Sequence, residues 1–264
     1  MTSPLVAQAA EIHRGGGNGN AVPERVDVYQ PYEVDQILLP DFAQCLAVKT
    51  FLHMCGIQFT KKLRPNAEQM SPSGGLPFIK CGPQIVSEFD SIVEFIGIKG
   101  LSLSEDLSGP QKSELKAYMA LTINRLKLAE LYVTWQDKHS SEAITKPRYG
   151  SPYPWPLQHL LPWMKQREMK RYLKVQEWSD KTVEQVHAEV NLCCKALSDK
   201  LGEQYYFFLD RPTELDALVY GHLNSLLKTK FTSVQLAEDV QRYPNLVRFC
   251  ERITERYFTE GGER

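Results

Sequence analysis

The sequence predicts a mixed α/β unit followed by an all-helical one. Three observations carry this reading. Phe78-Ile79 and Ile85-Val86 are short apolar runs on either side of Gly82-Pro83, which is strong turn chemistry, so this stretch reads as a β-hairpin. Phe89, Ile92, Val93 and Ile96 follow at i, i+3, i+4 and i+7, the stripe of an amphipathic helix. Beyond about residue 110 only helical periodicity recurs.

In chain order, Val26-Asp27-Val28-Tyr29 alternates and reads as the first strand. A helix capped by Asp41 then runs to about His53, with an apolar face of Phe42, Leu46, Val48, Phe51 and Leu52 and a stop at Gly56. Residues 57–63 offer a second strand, giving β-α-β before the hairpin and its helix. Pro77 has no amide hydrogen for a strand ladder, so it opens the third strand or sits on an edge, a place where a cis peptide is kept. After a linker at 100–110, Leu115, Tyr118, Met119, Thr122, Leu126, Ala129 and Val133 predict a helix ending near Lys138. A second long helix runs from Thr182 to Leu201, with Thr182 and Gln185 as its capping box and Gly202 as its stop. Late in the chain Thr213-Glu214-Leu215-Asp216 reads as a structural cap, the hydroxyl accepting from the Asp216 amide and the carboxylate returning to the Thr213 amide.

Composition narrows the function classes. The 31 basic residues nearly balance 32 acidic ones, so no overall field favours nucleic acid. Six cysteines form neither a Cys-x-x-Cys pair nor a zinc pattern and imply a reduced compartment, and six histidines show no His-x-x-x-His spacing, so no metal or cofactor is expected. Residues 1–25, with glycine-rich 15–20, read as a disordered tail, and 259–264 as a polar one. No run approaches 18 apolar residues, so the chain is not expected to span a membrane.

A thioredoxin-like unit at 26–99, a linker at 100–110 and an all-helical unit at 111–258 together resemble the glutathione transferase fold. The resemblance implies an acidic residue followed by serine at the start of the helix after the hairpin, holding the γ-glutamyl end of glutathione. Glu88-Phe89 stands there, with the acid present and the serine replaced by a ring expected to occupy the ligand's place. Tyr29 and Tyr32 lie where an activating hydroxyl belongs but in no recognisable setting, and Cys45 falls inside a helix, away from its N-terminal field. No catalytic residue is assigned.

The stretch 148–157, Arg-Tyr-Gly-Ser-Pro-Tyr-Pro-Trp-Pro-Leu, is expected to be an extended, rigid, aromatic loop, because three alternate prolines exclude helix. It serves either as a clamp on the helical unit or as a docking surface. With residues 66–74, 212–219 and 36–39 it resembles the metaxin family, closest to the member without a C-terminal membrane helix. The resemblance implies a non-enzymatic protein on the cytosolic face of the mitochondrial outer membrane, in the sorting and assembly machinery that inserts β-barrel proteins. Its implied partners are metaxin one and the β-barrel core subunit, through which it reaches the membrane peripherally. The alternatives are an adaptor linking mitochondria to transport motors and a divergent glutathione transferase. Candidate partner-binding residues are Tyr149, Tyr153 and Trp155 in the loop and Trp163, Lys165 and Arg167 in the basic helix after it. Pro77, Thr213 and Asp216 are the structural candidates.

Overall fold

The computed structural model describes residues 25–258 except 209, 229, 233 and 235. The two expected tails lie outside these residues, apart from Arg25. Four strands, β1 (Val26–Gln30), β2 (Phe59–Leu63), β3 (Phe78–Cys81) and β4 (Gln84–Ser87), form one mixed sheet in the order β2-β1-β3-β4. β1 runs parallel to β2 and antiparallel to β3, which pairs antiparallel with β4. The helix α1 (Leu39–Met54) makes the crossover that a parallel β1–β2 pair requires. Gly82, at φ +58°, and Pro83 are the two-residue hairpin turn. The peptide before Pro77 is cis, immediately ahead of β3, and a second cis bond precedes Pro156. Next come the short α2 (Ala67–Met70), within 66–74, and α3 (Phe89–Ile98), which starts one residue after Glu88 at φ +71°.

The helical half begins with α4, a continuous run over 109–136 in which wider π turns at Ile123–Lys127 and Tyr132–Gln136 interrupt α-helix. A second run, α5 over 138–150, ends in Lys146–Gly150. Then follow α6 (Leu157–Val175), α7 (Val183–Leu201), α8 (Glu214–Lys228), α9 (Ala237–Gln241) and α10 (Pro244–Phe258).

Three local expectations need correction. Asp41 does not cap α1; Leu38 is the N-cap, with Pro40 just inside, and Asp41 lies in the first turn. The segment 148–157 is not extended, since Arg148, Tyr149 and Gly150 close a helix and 151–156 turns tightly into α6. At the Thr213 cap, the Thr213 amide does reach the Asp216 carboxylate at 2.7 Å, but the hydroxyl donates to the same oxygen, also at 2.7 Å, rather than accepting. The other Asp216 oxygen takes the Phe207 amide at 2.9 Å, so this carboxylate also anchors the chain entering α8. Burial pushes its carboxyl up to about 6, against the pull of those three donors. The box at Thr182 and Gln185 forms as expected.

The two halves meet where α8 lies along α1. The sheet covers the other side of α1, which explains why twelve of its sixteen residues are buried instead of a single stripe. The contact is close because Gly221 carries no side chain: a Cβ there would lie 2.6 Å from the Ala43 carbonyl oxygen and from Ala47 Cβ. Gly221→Ala is therefore expected to destabilise the protein by about 1–3 kcal/mol, since neither backbone yields cheaply. Urea denaturation checks this; an unchanged midpoint would mean that α1 and α8 slide apart without cost.

Candidate functional site

Between the two halves lies a cleft of about 410 Å³. One wall comes from the Gly74-Gly75 turn, Glu88 and the start of α1; the other comes from α4, Tyr149 and α6. Three of its charges, Glu68, Lys165 and Glu168, are spent on one another. Glu68 receives Lys165 at 2.5 Å on one oxygen and the Tyr149 hydroxyl at 2.7 Å on the other. Lys165 also meets Glu168 at 3.0 Å. Burial would lower the Lys165 pKa, but Glu68 and Glu168 outweigh it and the ammonium is held more firmly charged. Burial and the neighbouring Glu68 drive the Tyr149 phenol far above its usual range, the reverse of an activated hydroxyl.

Burial, reinforced by Glu68, pushes the Asp41 carboxyl up to about 7. A carboxyl whose pKa rises on folding binds its proton more tightly in the native state, so its contribution is fully present below about pH 4 and is lost as pH rises through about 7. The stability of the wild type relative to Asp41→Asn is therefore expected to fall across that window, as measured by urea midpoints along a pH series. A flat difference would mean that Asp41 is solvated like a surface carboxylate.

None of the three candidates for an activating group, Tyr29, Tyr32 and Cys45, lines this cleft. Tyr29 stacks on Phe78 at 4.6 Å in β3, and Tyr32 sits in the turn before α1; neither lines the cleft. Cys45 is fully buried, and burial holds its thiol far above the usual range. Phe89 departs from expectation: its ring turns into the core and meets Phe51 edge-to-face at 5.9 Å, so it does not fill the ligand's place. What the position lacks is the donor that serine would supply.

The six partner-binding candidates separate into two groups. Tyr149 is buried against Glu68 and edge-to-face with Trp135 at 5.7 Å. The Tyr153 hydroxyl donates to the Pro65 carbonyl at 2.7 Å, and Lys165 is sequestered by Glu68. These three turn inward. Their neighbours do likewise, with Arg148 reaching the Ile37 and Glu33 carbonyls and Ser151 reaching that of Asp35. The start of the 148–157 stretch is thus a strap tying α5 to the loops around the sheet. Trp155 (78% exposed), Trp163 (48% exposed) and Arg167, whose guanidinium lies 4.8 Å over the Trp163 ring, face outward.

Sequence reasoning overlooked Glu68, although it lies within the quoted 66–74 stretch. It also overlooked a buried chain in which Gln44 meets His222 at 2.9 Å and His222 meets Glu130 at 2.7 Å. Nothing local marks these residues, whose partners lie 81 to 178 positions away.

The sheet order, the α1 crossover and the helical half define a glutathione-transferase-like fold. Solved structures agree: a Pseudomonas fluorescens glutathione transferase family member with two bound glutathiones superposes at TM-score 0.58, with 14% identity over 89% of this chain and 90% of the other. The transferase F7 of Populus trichocarpa gives 0.54, at 14% identity over 88% and 94%. At such identities the likeness concerns the fold alone. The profile of the glutathione S-transferase C-terminal domain matches residues 190–253, and that of an outer mitochondrial membrane transport complex protein matches 45–166. Sequence relatives are far closer. Metaxin-2 of Mus musculus is 52% identical over 91% of this chain and 92% of its own length, and the metaxin-2 homologue of Caenorhabditis elegans is 38% identical over 78% and 90%. Metaxin-1 of Mus musculus is 29% identical over 83% and 71%. The chain belongs to the metaxin family.

Proposed function

We propose that this chain is a non-enzymatic, peripheral subunit of the mitochondrial outer-membrane sorting and assembly machinery. In this reading it supports protein import and β-barrel insertion from the cytosolic face, through heterodimerisation with a metaxin-1-type relative. The observation that carries the proposal is the state of the cleft. In a transferase of this fold the equivalent space must present free polar groups to an anionic tripeptide and a donor to its thiol. Here Glu68, Lys165 and Tyr149 satisfy one another, and Asp41, Glu88 and Asp90 outnumber Lys127 among the other charged groups of the lining. The family profile over residues 45–166, described for an outer mitochondrial membrane transport complex, supports the location.

Co-purification from gently detergent-solubilised mitochondrial membranes tests this. Recovery with a metaxin-1-type protein and a β-barrel subunit is the expected result; a protein found in the cytosolic fraction without either would overturn it. Because the cleft is open, calorimetric titration with glutathione is the companion measurement. Negligible heat is expected, and millimolar or tighter binding would return the transferase reading to the front.

A further inference from the structure

We propose that the outward face of α6, together with Trp155, lies directly on an anionic lipid bilayer. This goes beyond the assembly role and does not depend on it. The inner face of α6 is occupied, with Pro162, Gln166 and Leu173 buried and Lys165 in the cleft. The outer face is exposed and carries large apolar side chains. Leu157, Leu160, Trp163, Met164 and Val175 are all exposed on it at helical spacing, and Trp155 stands beside its N-terminal end.

Following the first four of these apolar groups along the helix are exposed Arg167, Lys170, Arg171 and Lys174. None of the four forms an ion pair with a carboxylate among the described residues, and the exposed acid Glu168 is held by Lys165. All the apolar groups but Val175 gather at the N-terminal end, and the cations lie toward the C-terminal end, of a helix about 28 Å long. A helix lying in a headgroup layer has this make-up: aromatic and aliphatic side chains enter the acyl boundary while lysine and arginine stay among phosphates. An acidic protein would neutralise the cations but leave the two tryptophans and four aliphatic chains uncovered. A bilayer surface accommodates both.

The test is flotation of the purified full chain with phosphatidylcholine vesicles, with and without phosphatidylserine, some carrying brominated acyl chains. Two of the four tryptophans, Trp135 and Trp178, are buried, so quenching by bromine reports on Trp155 and Trp163. Expected are flotation with phosphatidylserine vesicles alone, release by salt, and quenching that disappears in Trp155→Ser/Trp163→Ser. Each neutralised cation is expected to weaken binding about fivefold, so Arg167→Gln/Arg171→Gln/Lys174→Gln loses on the order of 100-fold. These side chains are exposed, and an unchanged melting temperature would show that the variants fold. If a variant does not fold, salt release and quenching of the wild type still decide. No flotation overturns the proposal. So does binding without quenching that polyglutamate competes away, which would assign the face to an acidic protein.

Discussion

His222→Ala is expected to lower the free energy of unfolding by about 3–5 kcal/mol, because it removes one partner of a buried ionisable pair. His222 on α8 and Glu130 on α4 are both fully excluded from solvent, 2.7 Å apart, and Gln44 on α1 closes the chain. With the Gln44 amide group facing Nε2, that nitrogen accepts, the ring proton sits on Nδ1, and Glu130 receives it. The second Glu130 oxygen has no protein partner, so without the imidazole the carboxylate is orphaned. Burial already raises its pKa, with His222 pulling the other way. Alanine removes that pull and raises the carboxyl further, so the deficit relative to the wild type grows only as pH rises above the already raised wild-type value of Glu130.

Urea denaturation at several pH values checks both the size and the sign. Replacing the pair together, as Glu130→Leu/His222→Leu, is expected to recover most of the loss, because apolar side chains of similar volume carry no desolvation cost. A single-variant cost below about 1 kcal/mol would mean that water reaches the carboxylate. The three residues come from both halves of the molecule, so the same measurement tests what holds the cleft walls in register.

Arg148→Ala is the other large effect, expected at about 3 kcal/mol from two charge-assisted hydrogen bonds. The Arg148 Nε donates to the Ile37 carbonyl at 2.7 Å, a terminal nitrogen donates to Glu33 at 3.0 Å, and the guanidinium lies 4.2 Å over the Phe231 ring. Phe231 in turn meets Phe42 edge-on at 5.8 Å, so one side chain joins α5, the loop before α1 and the segment after α8. Lysine is not expected to rescue, because an ammonium cannot span two carbonyls and stack at once. Chemical denaturation gives the total. Hydrogen exchange should localise it, with faster exchange in residues 33–37 and 148–153 well before global unfolding. Full rescue by Arg148→Lys would show that charge alone matters and that the strap is incidental.

What could be read along the chain was whatever depends on near neighbours. The Gly82-Pro83 hairpin, the 89–96 stripe, the Thr182–Gln185 box and the amide half of the Thr213–Asp216 cap are set by residues a few positions apart, where backbone geometry and periodicity act. The fold class followed from their order, and the family from separated motifs. Direction was not legible. Phe89 was expected to point into the ligand site and points into the core; of the six partner-binding candidates Tyr149, Tyr153 and Lys165 face inward, and Trp155, Trp163 and Arg167 lie on the surface. Residue type alone does not say whether an aromatic or basic side chain lies in water or against a distant partner. Which it adopts depends on contacts such as Tyr149 with Glu68, 81 residues apart, or Gln44 with His222, 178 apart. Only tertiary packing brings those groups together, because burying a polar side chain is favourable solely where its partner is already in place.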